Sequence, residues 1–402
     1  MILAALVLLL QADLERRVLE LTEKLSSEAI DAREEAAAAL VELGPDAAPI
    51  LERAAGARDA EGKGRIREIL REIARDAVLR GAWRPARRVD AAWKDVPLSQ
   101  ALEAVATATG ETFKGGAEIP GAVTLDLRRA TLWESLDALC RAAPALTWSL
   151  DGEAVVFKAA PRPPFPSVAR DELLAWVDVV EYGRDIDFSG AAREWAVVGI
   201  NLAWTAGLTP LATELRVTEV LDVAGRNLLP NAGFRFSQPP KASATPKARH
   251  RREESRMSLL AGARVDRIRG YGQLLFPRGY EEVKAAFGAT APIKAGDAQV
   301  ALRGGSSTRG ACSFQAVITY AGKANAPRLP PTEVMVIDDQ GAEHPASLGR
   351  GQATSFTGTG WSIHQSYDAT LPADRRPVAA RLRLPKDVFE RKLDFDFAIP
   401  SP

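Results

Sequence analysis

Residues 123–157 read V-T-L-D-L-R-R-A-T-L-W-E-S-L-D-A-L-C-R-A-A-P-A-L-T-W-S-L-D-G-E-A-V-V-F, and the hydrophobic period changes twice along them. Val123, Leu125 and Leu127 alternate with Thr124, Asp126 and Arg128, the two-residue period of a half-buried strand. Thr131 and Glu134 have the spacing of a capping box, and Leu132, Leu136, Leu139 and Cys140 form the stripe of a helix behind it. Trp148 and Leu150 lead to Asp151-Gly152, a hairpin signal, before Ala154-Val155-Val156-Phe157 resumes an extended run. Upstream, Asp95-Val96-Pro97-Leu98 opens another helix, with Leu98, Ala101, Leu102 and Val105 on one face and Gly110 at its end. Residues 85–158 thus read as strand, helix, strand, strand, helix, and then a strand or hairpin.

This block resembles the short N-terminal domain of secretins and TonB-dependent receptors, a βαββαβ module. The residues that carry the resemblance are Val89-Asp90-Ala91, Val96 to Leu102, Val123 to Leu127, Thr131 to Leu136 and the hairpin from Trp148 to Phe157. It implies protein–protein docking in the periplasm, without catalysis. No secretin or outer-membrane barrel pattern follows, so the family's docking partner does not carry over.

Ahead of the block, Ile2 to Leu10 is a continuous apolar run, followed by Gln11-Ala12 and then the charged Asp13-Leu14-Glu15-Arg16-Arg17. The run is too short to span a bilayer of about 30 Å but suits the apolar region of a signal peptide over residues 1–12. The competing reading is a buried N-terminal helix. Residues 13–80 are helical in period: Leu14, Val18, Leu21 and Leu25 mark one stripe, and Ile66, Ile69, Leu70, Ile73 and Ala77 mark another. Gly44-Pro45 and Gly56 punctuate them. The stretch from Ala32 to Leu51 resembles a HEAT-type repeat, a unit that stacks into protein-binding arrays. A plain helical cap packed on the next domain is the alternative.

Residues 159–167 form a stiff proline-rich linker, and beyond it the pattern is β. Val198, Ile200, Leu202 and Trp204 alternate with smaller or polar residues, as do Cys312, Phe314, Ala316, Ile318 and Tyr320, and Leu393, Phe395 and Phe397. A faint duplication runs through this region. Glu219-Val220-Leu221-Asp222-Val223-Ala224-Gly225 is echoed by Val334-Met335-Val336-Ile337-Asp338-Asp339-Gln340-Gly341, an apolar strand entering Asp-x-x-Gly. Asp caps its own turn and Gly supplies positive φ, so each copy predicts a strand-end turn. The offset suggests two tandem β-sandwiches, 168–292 and 293–402, with one large two-sheet domain as the alternative.

The chemistry-bearing residues are few. Lys+Arg and Asp+Glu both total 52, so no global field draws in nucleic acid or anionic membrane. His250, His344 and His364 lack metal-ligand spacing, and His250 reads as part of a basic loop. No Gly-x-Ser-x-Gly elbow occurs, and Gly304 to Gly310 lacks the lysine of a phosphate loop and reads as a hairpin loop. Asp185/Asp187 and Asp394/Asp396 sit at strand spacing, where a solvated strand face is the ordinary reading and acid–base work the sharper one. Asp338/Asp339 with Asp222 are too few ligands for calcium. Cys140 and Cys312 read as two buried free thiols. The basic stretch Lys241 to Arg256, flanked by prolines, reads as a long loop between strands, with contact to an acidic partner through Arg249, Arg251 and Arg252 as the sharper alternative. Trp176, Trp195, Trp204 and Trp361 are core candidates that would mark a carbohydrate-binding face if exposed.

The expected architecture is a multidomain α+β chain: signal peptide 1–12, HEAT-like helices 13–80, short secretin-type domain 85–158, linker 159–167, then one or two antiparallel β-sandwiches. The expected function is an exported, periplasmic or extracellular, non-enzymatic binding or scaffolding protein that docks envelope proteins. No cofactor, metal, nucleic acid or membrane span after leader removal is expected. Binding residues are assigned to Arg249, Arg251, Arg252 and Trp361. A hydrolase of envelope polymer with an acid-pair site, or a carbohydrate-binding protein, stands as the alternative.

Overall fold

Thr131 closes the capping box anticipated from its spacing: Glu134 N–H donates to its hydroxyl at 3.2 Å and the Glu134 carboxylate accepts the Thr131 N–H at 2.7 Å. A computed structural model of the chain describes residues 2–27, 29–56, 60–116, 118–160, 166–186, 192–229, 241–242, 249–259, 263–308, 310–321, 329–357 and 360–400. The chain divides into two compact units. One holds residues 1–82 with the short segments 277–281 and 385–389; the other holds 83–276, 282–384 and 390–402. The described residues mix six α-helices with large antiparallel sheets, a β-rich, sandwich-like class.

In the first unit, α1 (Ile2–Lys24) packs on α2 (Ile30–Leu43) and α3 (Ala48–Gly56), and α4 (Ala60–Ala82) packs on α2 and α3. Gly44, at φ +76, ends α2 and hands over to a 3-10 turn at Pro45–Ala47. The predicted stripes face one core, with Val18, Leu40, Leu51, Ile66 and Ile73 buried in it. The apolar run read as a leader is continuous in helix with residues 13–24; the side chains of 2–12 lie outside the described residues. No described helix is long and apolar enough to cross a membrane. Arg75 reaches Asp387 at 3.1 Å, joining α4 to the segment 385–389.

The second unit opens with β1 (Val89–Pro97), α5 (Leu98–Thr109), β2 (Thr112–Lys114), β3 (Ala122–Ala130), α6 (Leu132–Ala142), β4 (Leu146–Asp151) and β5 (Ala154–Ala159). This is the element order read from residues 85–158, with the hairpin resolved as β4–β5 and Gly152 at φ +58 in its turn. β1 and β3 form a two-stranded antiparallel ribbon, while the other sheet runs β2-β5-β4. Leu98, Val105, Val123, Trp133, Leu136, Leu146 and Phe157 fill the core between helices and strands, and Leu174 and Ala203 from beyond the linker enter the same core. The block is therefore not closed on itself. Trp133 Nε1 donates to the Glu172 carbonyl at 2.9 Å, and the buried Glu172 carboxylate accepts from Ala86 N–H and from Arg391, both at 3.0 Å.

The β region follows as β6 (Ser167–Arg170), β7 (Leu173–Ile186), β8 (Ala192–Trp204), β9 (Ala212–Asp222), β10 (Lys241–Ala242), β11 (His250–Leu259), β12 (Val265–Ala286), β13 (Ile293–Ala295), β14 (Ala298–Thr308), β15 (Ala311–Ala321), β16 (Glu333–Asp338), β17 (Glu343–Thr357), β18 (Gly360–Thr370) and β19 (Pro377–Ala398). One sheet runs β11-β8-β7-β6; the other runs β10-β9-β12-β19-β16-β17-β18-β15-β14-β13. The stretch expected to be one long loop over 241–256 is instead strand at both ends, because β11 pairs along β8 from His250↔Ala203 to Leu259↔Glu194. Residues 243–248 lie outside the described residues. The boundary drawn at 292/293 falls between β12 and β13, yet β19 returns to pair with β12 across it. These two 22-residue strands serve both ends of the region. Val283, Ala285, Ala380, Leu382 and Leu384 join a core with Val300, Phe314 and Ile318. At the other end a β-carbon on Gly270 would strike the Arg216 carbonyl and then Phe395, and one on Gly272 would strike Leu202 of β8. Cys140 and Cys312 are buried and neither is in a disulfide, as the sequence indicated, and desolvation pushes the Cys312 thiol up from its ordinary range.

Candidate functional site

A cleft of about 510 Å³ opens in the second unit between β4 and the β11-β8-β7-β6 sheet. Cross-strand register builds its floor. Ser167 of β6, Trp176 of β7, Asn201 of β8 and Arg252 of β11 are successive partners in one row across the sheet, and paired residues on neighbouring strands project to the same face. The next row is Ala169, Leu174, Ala203 and His250. Asp178 joins the floor because a bulge between Val177 and Val179 adds one residue to β7 there and re-aims its side chain. Thr147, Trp148, Ser149 and Leu150 of β4 cover this floor.

Two half-buried indoles form the wall. Trp148 and Trp176 meet edge to face with centroids 5.8 Å apart at 66°, and Trp133 backs Trp148, again at 5.8 Å. The polar groups differ in how well they are satisfied. Arg252 Nε donates to Asp178 Oδ2 at 2.8 Å, and its Nη2 reaches Glu254 at 3.0 Å. Asp178 Oδ1 is buried without a hydrogen-bond partner. Asn201 is only 4% exposed and lines the cleft. A buried carboxylate oxygen such as Asp178 Oδ1 left without a partner is unfavourable, so a donor delivered to it is bound with advantage.

The residues assigned to binding from sequence are not brought together. Arg249 is not a surface charge: it is 4% exposed and ion-paired with the equally buried Glu111, whose other oxygen accepts Ala206 N–H at 2.7 Å. Arg249 Nε and Nη2 are buried without partners. Arg251 donates to the Thr213 carbonyl of β9. Of the three arginines, Arg252 alone lines the cleft, and His250, expected in a loop, stands at its rim as the first residue of β11. Trp361 lies on β18 opposite Tyr320 and Phe356, in the other sheet; its side chain is outside the described residues. Trp204 is core, and Trp195 lies across Gly183. Asn201, Asp178 and Trp148 were missed. The one legible signal was the amide of Asn201 set among Val197, Val198, Ile200, Leu202 and Ala203.

The carboxylate pairs lie elsewhere. Asp394 pairs with Lys392 at 2.8 Å, and Asp396 pairs with Arg267 at 2.5 Å and Arg269 at 3.2 Å. Partial burial pushes the Asp396 carboxyl up, but the two guanidiniums outweigh it and hold the group below its usual range. Asp185 is exposed near the end of β7, and Asp187 and Arg309 fall outside the described residues. His364 is in the middle of β18, in a different sheet from the cleft. Among the described residues no group of three or more His, Cys, Asp or Glu is placed to hold a metal ion. Gly304 and Gly305, at φ +81 and +102, form a bulge within β14, and the hairpin turn sits beyond them.

Fold and cleft together define a β-rich, mixed helix-and-sheet protein with an aromatic, hydrogen-bonding groove on a sheet face. No protein-family model and no curated protein sequence matches the chain. Among solved structures, one chain from the Salmonella SPI-1 type III secretion injectisome basal body, an assembly of InvG, PrgH and PrgK, aligns over 77% of this chain and 92% of its own length. Its identity is 8% and its TM-score 0.16, too low to carry an argument.

Proposed function

We propose that the protein is an exported, non-enzymatic binding or scaffolding protein of the cell envelope that docks other proteins through the block formed by β1 to β5. The apolar run at residues 2–10 supports export, and the resemblance of residues 85–158 to the short N-terminal domain of secretins and TonB-dependent receptors supports docking. One observation carries the reading. The β1–β3 ribbon is a sheet of its own, so among the described residues each strand has an outer edge with no strand beside it. Such an edge presents N–H and C=O groups that an extended segment of a partner satisfies by strand addition. The other side of the ribbon is fixed to the helices by Val89, Val123 and Leu127, which holds the edge in place.

The test is capture from an envelope extract by the full chain and by a chain carrying Ala92→Arg and Lys94→Glu, two exposed β1 positions. A specific partner is expected to be recovered with the first and lost with the second, at unchanged thermal stability. Recovery of the same partner by both chains sinks the reading. The block shares Leu174 and Ala203 with the β region, so it is tested in place and not excised.

A further inference from the structure

We propose, beyond the docking reading, that the cleft between β4 and the β11-β8-β7-β6 sheet is a saccharide-binding site. Trp148 and Trp176 hold the apolar face of a pyranose ring, while Asn201 and the Asp178–Arg252 pair read its hydroxyl or acetamido groups.

The floor argues for a ligand read by side chains. β8 lies between β7 and β11 along the cleft, so its backbone groups are already paired on both sides. An extended polypeptide needs a free backbone edge to add itself as a strand, and the central strands β7 and β8 that carry Trp176 and Asn201 offer none. What it offers is a row of projecting groups of mixed character: an indole, a carboxamide and a guanidinium on adjacent strands. An edge-to-face indole pair makes an apolar corner whose free ring surfaces suit the C–H face of a sugar.

The carboxamide points to the same class. Asn201 is 4% exposed and lines the cleft, and Asp178 Oδ1 in the same cleft is buried without a hydrogen-bond partner. A carboxamide has donors and an acceptor on one plane, which matches a hydroxyl pair or an N-acetyl group. Asp178 and Arg252 neutralise one another at 2.8 Å, so that pair brings no net charge, and a neutral sugar fits better than a phosphorylated one. The volume of about 510 Å³ lies within the ~300–1,000 Å³ of small-ligand clefts.

The experiment titrates the full chain with neutral pyranose trisaccharides, cellotriose and tri-N-acetylchitotriose among them, read by tryptophan fluorescence and calorimetry. At least one is expected to bind and to perturb the fluorescence. Affinity should fall at least tenfold in Asn201→Ala and in Trp148→Ala. Trp148 is half-buried on the covering strand, so its variant keeps the test decisive if the Asn201 variant fails to fold. Binding that is unchanged in a folded Trp148→Ala chain overturns the proposal, as does failure of every trisaccharide to bind at millimolar concentration. A peptide of alternating Thr and Val that binds instead, with the same two substitutions abolishing it, overturns it in favour of strand addition. Partner capture through the β1–β3 ribbon is measured separately, so either reading can fail while the other stands.

Discussion

Tyr367 shows at the scale of one residue how a polar atom and its surroundings conflict. Its ring stacks on Phe314 at 5.6 Å, and Phe314 meets Phe287 edge-on at 5.2 Å, so the indispensable part of the side chain is aromatic. Its hydroxyl is buried without a partner, and desolvation pushes its pKa up. Tyr320, pushed up to about 12 by the same cause, differs in that its hydroxyl donates to the Leu329 carbonyl at 2.9 Å. Removing an unsatisfied hydroxyl while keeping its ring relieves a desolvation cost, so Tyr367→Phe is expected to raise stability by about 1 kcal/mol. Chemical denaturation checks this; a loss of stability would show that the hydroxyl is satisfied in solution. Arg249 teaches the opposite lesson. Its place in a basic stretch reads as a solvated loop, and only the pairing with Glu111, distant in sequence, explains how it is buried.

At the scale of an element, the two Asp-x-x-Gly turns are the same device used twice. Asp222 Oδ1 accepts Ala224 and Arg226 N–H, both at 2.9 Å, and Gly225 N–H returns to its carbonyl at 2.8 Å. Asp338 Oδ1 accepts Gln340 and Ala342 N–H, both at 2.9 Å, and Gly341 N–H returns at 3.0 Å. Gly225 and Gly341 sit at φ +76 and +83, where a β-carbon is strained, as the sequence motif required. The remaining carboxylate oxygen differs between copies: Arg226 Nε donates to Asp222 at 2.7 Å, whereas His344 Nε2 lies 3.0 Å from Asp338. The N–H and guanidinium of Arg226 hold the Asp222 carboxyl below its usual range, and His344 followed by backbone N–H groups does so for Asp338. Each folded-state pKa lies below the unfolded value of about 4, so the stabilisation is present above that value and lost as pH falls through the folded pKa. Asp222→Asn and Asp338→Asn are therefore expected to melt several degrees below wild type at neutral pH, with the gap closing as pH falls below the ordinary carboxylate range. Melting curves across pH that keep a constant gap would refute this.

At the scale of the whole molecule, β12 and β19 decide how the β region holds together. A chain ending after residue 376 lacks β19 and with it Ala380, Leu382 and Leu384 at one end and Leu393, Phe395 and Phe397 at the other, all buried. Neither β core is expected to fold: the truncated chain should show no cooperative unfolding transition of the β region by calorimetry or near-ultraviolet dichroism. Independent tandem sandwiches predict the contrary, a native transition from residues 83–292 alone. Observing that transition would remove the structural role given to the shared strands.

Local chemistry was legible in the order of the residues. The Thr131/Glu134 cap, the Asp151-Gly152 hairpin, the helical stripes of residues 14–77 and the twin Asp-x-x-Gly turns each depend on groups a few positions apart, where spacing alone fixes geometry. What stayed hidden joins distant segments: the Glu111–Arg249 pair, the return of β19 to β12, and the row Ser167, Trp176, Asn201, Arg252. Strand order and register arise from packing between sheets, and a bulge such as that at Asp178 shifts which face a side chain takes. Periodicity declares that a strand exists; only its neighbours in space decide what stands beside it.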